Sequence, residues 1–266
     1  LTAILAIDFR YQIVVLSDCR VSWQRGSFDP QDNLQKVYPF GPTGVFGFSG
    51  DVRSAKLVFE RIKTEASAKP LPRNAQFIAD DIAQWARAAY SEMSPADQNY
   101  LELMYVASDY GNVSLAAQNV VFANSVMSKM TSPSFEPELQ PDAVRLGYAI
   151  NYPLDNIRLN RDNMLNLGLT PEGERFKIGI LIGSFAKNLA TFSPGQVGGM
   201  FSIGIVSVRG VRWFSYSVGD LELKIEDGKF IQCDHSQGRR VTLKGLWDFD
   251  PRQPDAGNLV FKTPSV

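Results

Sequence analysis

Two apolar, β-branched runs open the chain, Thr2 to Phe9 and Gln12 to Asp18, with a short polar break at Arg10-Tyr11 between them. This pattern predicts an antiparallel strand pair joined by a tight turn. After a polar stretch holding Gly26, Asp29-Pro30 and Asp32-Asn33 come two more runs, Gln35 to Phe40 and Gly44 to Phe48. Pro39 and Gly41-Pro42 punctuate them. Four strands thus precede any helix.

The period then changes. From Asp51 the apolar residues Val52, Ala55, Val58, Phe59, Ile62 and Ala66 recur at three-to-four spacing, which predicts a helix that Pro70 and Pro72 end. A second helix is expected from Asn74, with Phe77, Ile78, Ile82, Trp85 and Ala89 on one side, closing before Ser94-Pro95. Two helices in succession after a strand meander predict a layer laid over one sheet face. Strands resume at Leu101 to Ala107 and Asn112 to Gln118, with Asp109-Tyr110-Gly111 read as their turn.

Residues 119–175 carry five prolines and only fragments of pattern, at Val120 to Met130 and Ala143 to Ile150. A strand is expected at Phe176 to Ile182 and a short helix from Gly183-Ser184 to Phe192. The runs Phe201 to Val208, Val211 to Val218 and Leu221 to Cys233 predict a meander turned at Arg209-Gly210, Gly219-Asp220 and Asp227-Gly228. Beyond it, Gly and Pro punctuation predicts a loose tail with one strand-like piece at Leu259 to Lys262. Trp247 and Phe249 in that tail could serve an interface or a local anchor.

With 27 Lys+Arg against 28 Asp+Glu in 266 residues, the net charge is -1, and no basic run exceeds Arg239-Arg240. A nucleic-acid ligand is therefore not expected, because neutralising many phosphates takes a basic face. No stretch approaches the roughly 18 apolar residues of a spanning helix, and Leu1 to Ile7 is too short for a secretory core, so no membrane role and a cytoplasmic location are expected. Two cysteines, Cys19 and Cys233, make neither a disulfide framework nor a zinc cluster. No cofactor, no metal site and no sensitivity to chelators are expected. The single histidine, His235, lies among turn formers, so a hydrolase built on this chain needs a base other than imidazole.

Chemistry gathers near the N-terminus. Thr2 opens the first strand, Asp18 and Arg20 close the second, Lys36 begins the third, and Gly50 lies where the fourth strand meets the first helix. Antiparallel neighbours bring the start of one strand beside the end of the other, so Thr2, Asp18 and Arg20 are expected at one sheet edge. A lysine paired with an aspartate lowers the proton affinity of a nearby hydroxyl or amine. A glycine amide at a strand-to-helix corner is a natural oxyanion donor. If residue 1 is removed, the free α-amine of Thr2, with an unperturbed pKa of about 7.7 to 8.0, can act as the base for its own hydroxyl.

The segments Thr2-Ala3-Ile4-Leu5-Ala6-Ile7, Val14-Val15-Leu16-Ser17-Asp18-Cys19-Arg20, Asn33-Leu34-Gln35-Lys36-Val37 and Gly47-Phe48-Ser49-Gly50-Asp51 together resemble the N-terminal half of a proteasome β-type subunit, as in a bacterial proteasome-like homologue. That family belongs to the N-terminal nucleophile (Ntn) hydrolases. The resemblance implies an α+β fold, a four-layer αββα sandwich of two antiparallel sheets between helical layers. It implies Thr2 as nucleophile and base, Asp18 and Lys36 as orienting ion pair, the Gly50 amide as oxyanion donor and Arg20 as supporting charge. It further implies that Val21, Leu34, Phe48 and Val52 line an apolar, narrow pocket for the residue before the scissile bond. Residues 1–233 are then the hydrolase domain and 234–266 a C-terminal extension. The implied substrate is a peptide or unfolded protein, and the implied assembly a homo-oligomeric ring, with or without an unfoldase partner.

Two features depart from that family pattern. Leu1 precedes Thr2, and an acylated amine is not a base. The family's later serine and Asp-x-x-Ser cluster lack a full counterpart: Gly183-Ser184 resembles the serine's setting, which makes Ser184 a candidate, while Pro194-Gly195-Gln196-Val197-Gly198-Gly199 keeps only the glycines. A non-catalytic ring or scaffold subunit and a small-substrate Ntn amidase are the alternatives. Thr2→Ala and Lys36→Ala are each expected to abolish peptidase activity with the fold intact.

Overall fold

The computed structural model describes residues 2–9, 12–22, 33–68, 74–115, 121–165, 173, 179–181, 183–185, 201–213, 216–218, 221–226, 229–236 and 238–248. The fold is α+β. The opening runs form β1 (Ala3–Asp8) and β2 (Ile13–Asp18), paired antiparallel with Ile4 opposite Ser17. They sit inside a five-stranded antiparallel sheet that β8 (Ala143–Gly147), β9 (Phe201–Ser207) and β10 (Gly210–Trp213) complete in the order β10-β9-β2-β1-β8.

A second five-stranded sheet runs β3-β4-β5-β6-β7, from β3 (Val37–Pro39), β4 (Gly44–Gly50), β5 (Leu101–Leu115), β6 (Val121–Thr131) and β7 (Glu138–Leu139). Side-chain alternation explains how the two sheets meet. On β1, Ile4 and Ala6 pack with Val45, Met104, Val106 and Met127 of the second sheet. Ala3, Leu5 and Ile7 point the other way, onto Tyr152 and onto Ile157 of α3 (Leu154–Leu165). Burial on both faces accounts for the unbroken apolar run of β1.

The far face of the second sheet is covered by α1 (Val52–Ala68) and α2 (Ala75–Glu92). Asp51 Oδ1 accepts from the Ser54 amide at 2.8 Å, and Asn74 Oδ1 from the Gln76 amide at 2.8 Å, so both helices are capped by side chains at the positions where the pattern places their starts. The predicted apolar faces are buried apart from Val52 and Ala66, which are half-buried, and Phe77, which is exposed. Among the described residues no helix is long and apolar enough to cross a membrane.

Several expectations are corrected. The Asp109-Tyr110-Gly111 turn does not form. β5 runs through it and pairs with β6, absorbing the irregularity as a register shift between Asp109 and Ser114. Residues 119–175 hold β6, β7, β8, a 3₁₀ turn at Tyr148–Asn151 and α3, elements too short or too polar for periodicity to reveal. Residues 179–181 are helical where a strand is expected, because Leu181 and Phe185, four apart, bury one helical face against the first sheet.

The run Val211 to Val218 divides. β10 belongs to the first sheet, while β11 (Tyr216–Val218) opens a four-stranded antiparallel sheet with β12 (Leu221–Glu226), β13 (Lys229–Asp234) and β14 (Arg239–Thr242). Nor is the chain loose throughout after 233. Lys244 bridges to Leu34, and Leu246 inserts into the core beneath α1. Trp247 stacks edge-on against Tyr38 and Phe59, with the Lys63 ammonium 4.9 Å from its ring centroid, so it acts as a local anchor. Phe249, the strand-like piece at 259–262 and most of the expected 183–192 helix lie outside the described residues.

Candidate functional site at the strand ends

β1, β3 and β5 begin at one end of the sandwich, and β2, β4 and β8 finish there. Antiparallel pairing makes this inevitable for neighbours within a sheet, and face-to-face packing brings the two sets together. Thr2, one residue before β1, is buried, and alternation places it on the inter-sheet face shared by Ile4 and Ala6.

Asp18 closes β2 beside it. Its Oδ1 accepts the Ala3 amide at 2.8 Å and the Lys36 ammonium at 2.9 Å, and its Oδ2 accepts the Arg20 amide at 3.2 Å. Lys36 Nζ also donates to the Arg20 carbonyl at 2.6 Å. The side chains of Lys36 and Asp18 are 2% and 0% exposed. Removing two charges from water is costly, and the pair persists because each charge is hydrogen-bonded several times over. Arg20 enters this arrangement through its main chain.

The backbone explains why Lys36 reaches that far. Leu34 N–H donates to the Cys19 carbonyl at 3.1 Å and Phe48 N–H to the Lys36 carbonyl at 3.2 Å, so residues 33–36 are threaded between the end of β2 and β4. On the other side Lys244 holds the same segment, accepting from Gln35 N–H and donating to the Asn33 carbonyl.

Gly50 ends β4 with φ at +119°, and a β-carbon there would lie 2.3 Å from the Tyr100 carbonyl oxygen. Only glycine fits this corner. Val21, Leu34, Phe48 and Val52 come together in one apolar cluster with Phe59 and Leu246. Leu34 and Phe48 are 0% and 1% exposed, so the group forms a closed wall.

Ser184 is placed by a different contact. Its Oγ is 2.7 Å from Tyr152 Oη, in the layer where Phe185 packs onto the outer face of the first sheet. His235 is exposed, 3.0 Å from Glu222. Among the described residues no group of three or more His, Cys, Asp or Glu stands at metal-binding separation.

Sequence reasoning misses a second cluster at the same end. Tyr148 N–H donates to the Thr2 carbonyl at 2.8 Å, and Gly147, opposite Ala3, has φ at +57° with the Thr2 oxygen 2.1 Å from where a β-carbon would stand. Gly147 N–H donates to Glu102 Oε2 at 2.7 Å, and Glu102 Oε1 lies 2.5 Å from Lys129 Nζ. Burial, then a hydrogen bond to Glu102 and its charge, push the Tyr100 hydroxyl up to about 12. The only sequence cue was a glycine directly after the Val144-Arg145-Leu146 run.

No family model matches the chain, and no curated protein matches it. Among solved structures, the fold is similar to that of a chain in a helical assembly of the Anbu complex from Pseudomonas aeruginosa, with a TM-score of 0.55 and 14% identity over 81% of this chain and 86% of that one. At that identity the likeness concerns the fold. The identification with proteasome β-type subunits is corrected accordingly: no family model and no curated protein supports it, and at 14% identity the structural likeness reaches no further than the fold. What stands is a fold shared with an Anbu-complex chain.

Proposed function

We propose that this protein is a threonine-dependent amide or peptide hydrolase whose nucleophile is Thr2, active once the chain before Thr2, Leu1 included, has been cleaved away. The observation that carries the reading is the buried Asp18–Lys36 pair, delivered to the Thr2–Ala3 peptide through one shared carboxylate oxygen. A solvent-excluded ammonium at a strand start has no obvious structural merit, since a well-packed apolar pair does as well or better.

In this scheme the freed α-amine takes the Thr2 hydroxyl proton, and Oγ1 attacks the substrate carbonyl. Lys36 eases both steps by its positive field. The tetrahedral oxyanion is held by the Gly50 amide. The Thr2 ammonium then returns its proton to the leaving amine, giving an ester on Thr2. Water, deprotonated by the same amine, attacks that ester and releases the acid. Of the apolar wall, Val52 keeps accessible surface and in this reading meets the side chain before the scissile bond, backed by the buried Val21, Leu34 and Phe48, which favours an apolar residue there. Ser184 enters only as a supporting hydroxyl, linked through Tyr152 to the turn that follows β8.

We read the helix-sheet-sheet-helix succession as a four-layer αββα sandwich. The similar Anbu-complex chain sits in a helical assembly, which supports a homo-oligomer here, with copies screening an otherwise indiscriminate site. The test is hydrolysis of a panel of peptidyl amides by wild type and Thr2→Ala, with intact mass of each. Turnover by the wild type and none by Thr2→Ala is the expected result. Substantial turnover by Thr2→Ala refutes the mechanism, and a mass that retains the residues before Thr2 favours a scaffold.

A further inference from the structure

Glu102 is a carboxylate 3% exposed, and the scheme above gives it no part. It stands on the second sheet, opposite Ser49 and one residue from the Leu101–Gly50 pair, yet its Oε2 crosses to the first sheet to accept from Gly147. Lys129, on the neighbouring strand β6, holds the other oxygen. Beyond Gly147, the Tyr148 amide holds the Thr2 carbonyl, and Ser49 Oγ lies 2.6 Å from the position of a Gly147 β-carbon. Gly147 therefore abuts Thr2, and Glu102 links Gly147 to the strand end where Leu101 pairs with Gly50.

We infer that Glu102 is a positioning residue for Thr2: clamped by Lys129, its carboxylate locks the Gly147–Tyr148 corner, and that corner fixes the Thr2 carbonyl and the bearing of its side chain. The role as positioner of a nucleophile rests on the hydrolase reading. The clamp itself does not. A buried carboxylate that accepts a backbone amide holds that amide more firmly than a neutral acceptor does. It acts through Thr2's peptide, with no contact to substrate. The link crosses between sheets at the point where the Asp18–Lys36 pair approaches Thr2 from the opposite side, so the residue is fixed at both its carbonyl and the following amide.

Substitution by glutamine separates a clamp from mere space filling. An amide has one acceptor atom. In Glu102→Gln that oxygen turns to the Lys129 ammonium, and the NH₂ then confronts the Gly147 N–H, donor against donor. In Glu102→Gln combined with Lys129→Met the oxygen is released from the ammonium to face Gly147 again, and the NH₂ can donate to the Tyr100 hydroxyl that bonds the native carboxylate. The double change should therefore be milder than the single one.

The experiment is amide hydrogen exchange on the full-length protein, with the rate of Thr2 acylation by a peptidyl β-lactone measured in parallel. Expected for Glu102→Gln is exchange about tenfold faster at Gly147 and Tyr148, the equivalent of one lost hydrogen bond, with β1–β2 protection unchanged and acylation slowed about tenfold. Adding Lys129→Met should restore most of both. Unchanged exchange at Gly147 and Tyr148, uniformly faster exchange across both sheets, or a double variant no better than the single one overturns the inference. Should the wild-type protein fail to react at Thr2, the hydrolase reading falls, and the clamp is judged on the exchange results.

Discussion

Asp18 and Lys36 meet at a single oxygen: Asp18 Oδ1 takes the Lys36 ammonium at 2.9 Å and, at 2.8 Å, the amide that follows Thr2. The ion pair is thus part of the hydrogen bonding that fixes the start of β1. Its burial changes what mutation of either partner should do. Lys36→Ala leaves Asp18 as an uncompensated buried anion, a loss of about 3–5 kcal/mol. Asp18→Asn combined with Lys36→Met should cost far less than the sum of the single changes, because no charge is stranded. Urea unfolding of the three variants at neutral pH measures this, and additive losses would contradict it. Lys36→Ala is therefore not the clean activity probe that the sequence alone implied.

Gly147 tolerates no side chain. Its φ of +57° costs an alanine about 1–2 kcal/mol in backbone strain, and the Thr2 oxygen at 2.1 Å from the new carbon adds a clash between main-chain atoms. Gly147→Ala should shift the Thr2 carbonyl and lose the Tyr148 hydrogen bond. A crystal structure of the variant, with the Thr2–Tyr148 separation read directly, checks it. An unmoved carbonyl would show that the corner does not fix Thr2.

Leu246 joins the C-terminal strap to the apolar wall. It is fully buried with Phe48 and Leu34, and its amide donates to the Tyr38 hydroxyl at 2.8 Å. Leu246→Ala should destabilise the fold by about 2–5 kcal/mol, in the range for a buried leucine truncated to alanine. Thermal unfolding measures it, and a loss under about 1 kcal/mol would mean the strap is dispensable to the core.

Asp142 anchors α3 to the start of β8 through Arg158 at 3.2 Å and Arg161 at 2.8 Å. Burial pushes its carboxyl up, but hydrogen bonds and charge from the two arginines outweigh this and leave it below its ordinary value. A carboxyl depressed in the folded state contributes stability above its unfolded pKa of about 3.9, and that contribution disappears as pH falls through the lower, folded value. Amide protection factors in α3 should therefore fall below about pH 4 ahead of those in β1 and β2. Simultaneous loosening of helix and sheet would deny Asp142 that role.

The readable parts of the chain were those where one physical signal dominates. β1, β2, α1 and α2 carry long apolar periods and side-chain caps, and their edges fall where Asp51 and Asn74 place them. From strand order alone, Thr2, Asp18 and Arg20 were expected at one sheet edge; Asp18 bonds the amide that follows Thr2, and Lys36, which strand order did not place, reaches Asp18 and the Arg20 carbonyl. What escaped was set by distant partners. Leu181 and Phe185 are helical because of the sheet they cover, Asp109-Tyr110-Gly111 is strand because β6 pairs alongside, and Leu246 is core because Lys244 bridges to Leu34. Glu102 and Lys129 looked like ordinary strand charges, since nothing local tells that their carboxylate bonds across to Gly147.

The central claim is that Thr2 is a nucleophile with its own amine as base. Its most direct test is to incubate the purified protein with a peptidyl β-lactone and locate the adduct by peptide mass spectrometry. The expected result is a single ester-linked adduct on Thr2, at the N-terminus of a chain that has lost everything before it, and none in Thr2→Ala. An adduct elsewhere, or a Thr2 that stays unmodified behind an uncleaved Leu1, contradicts the account.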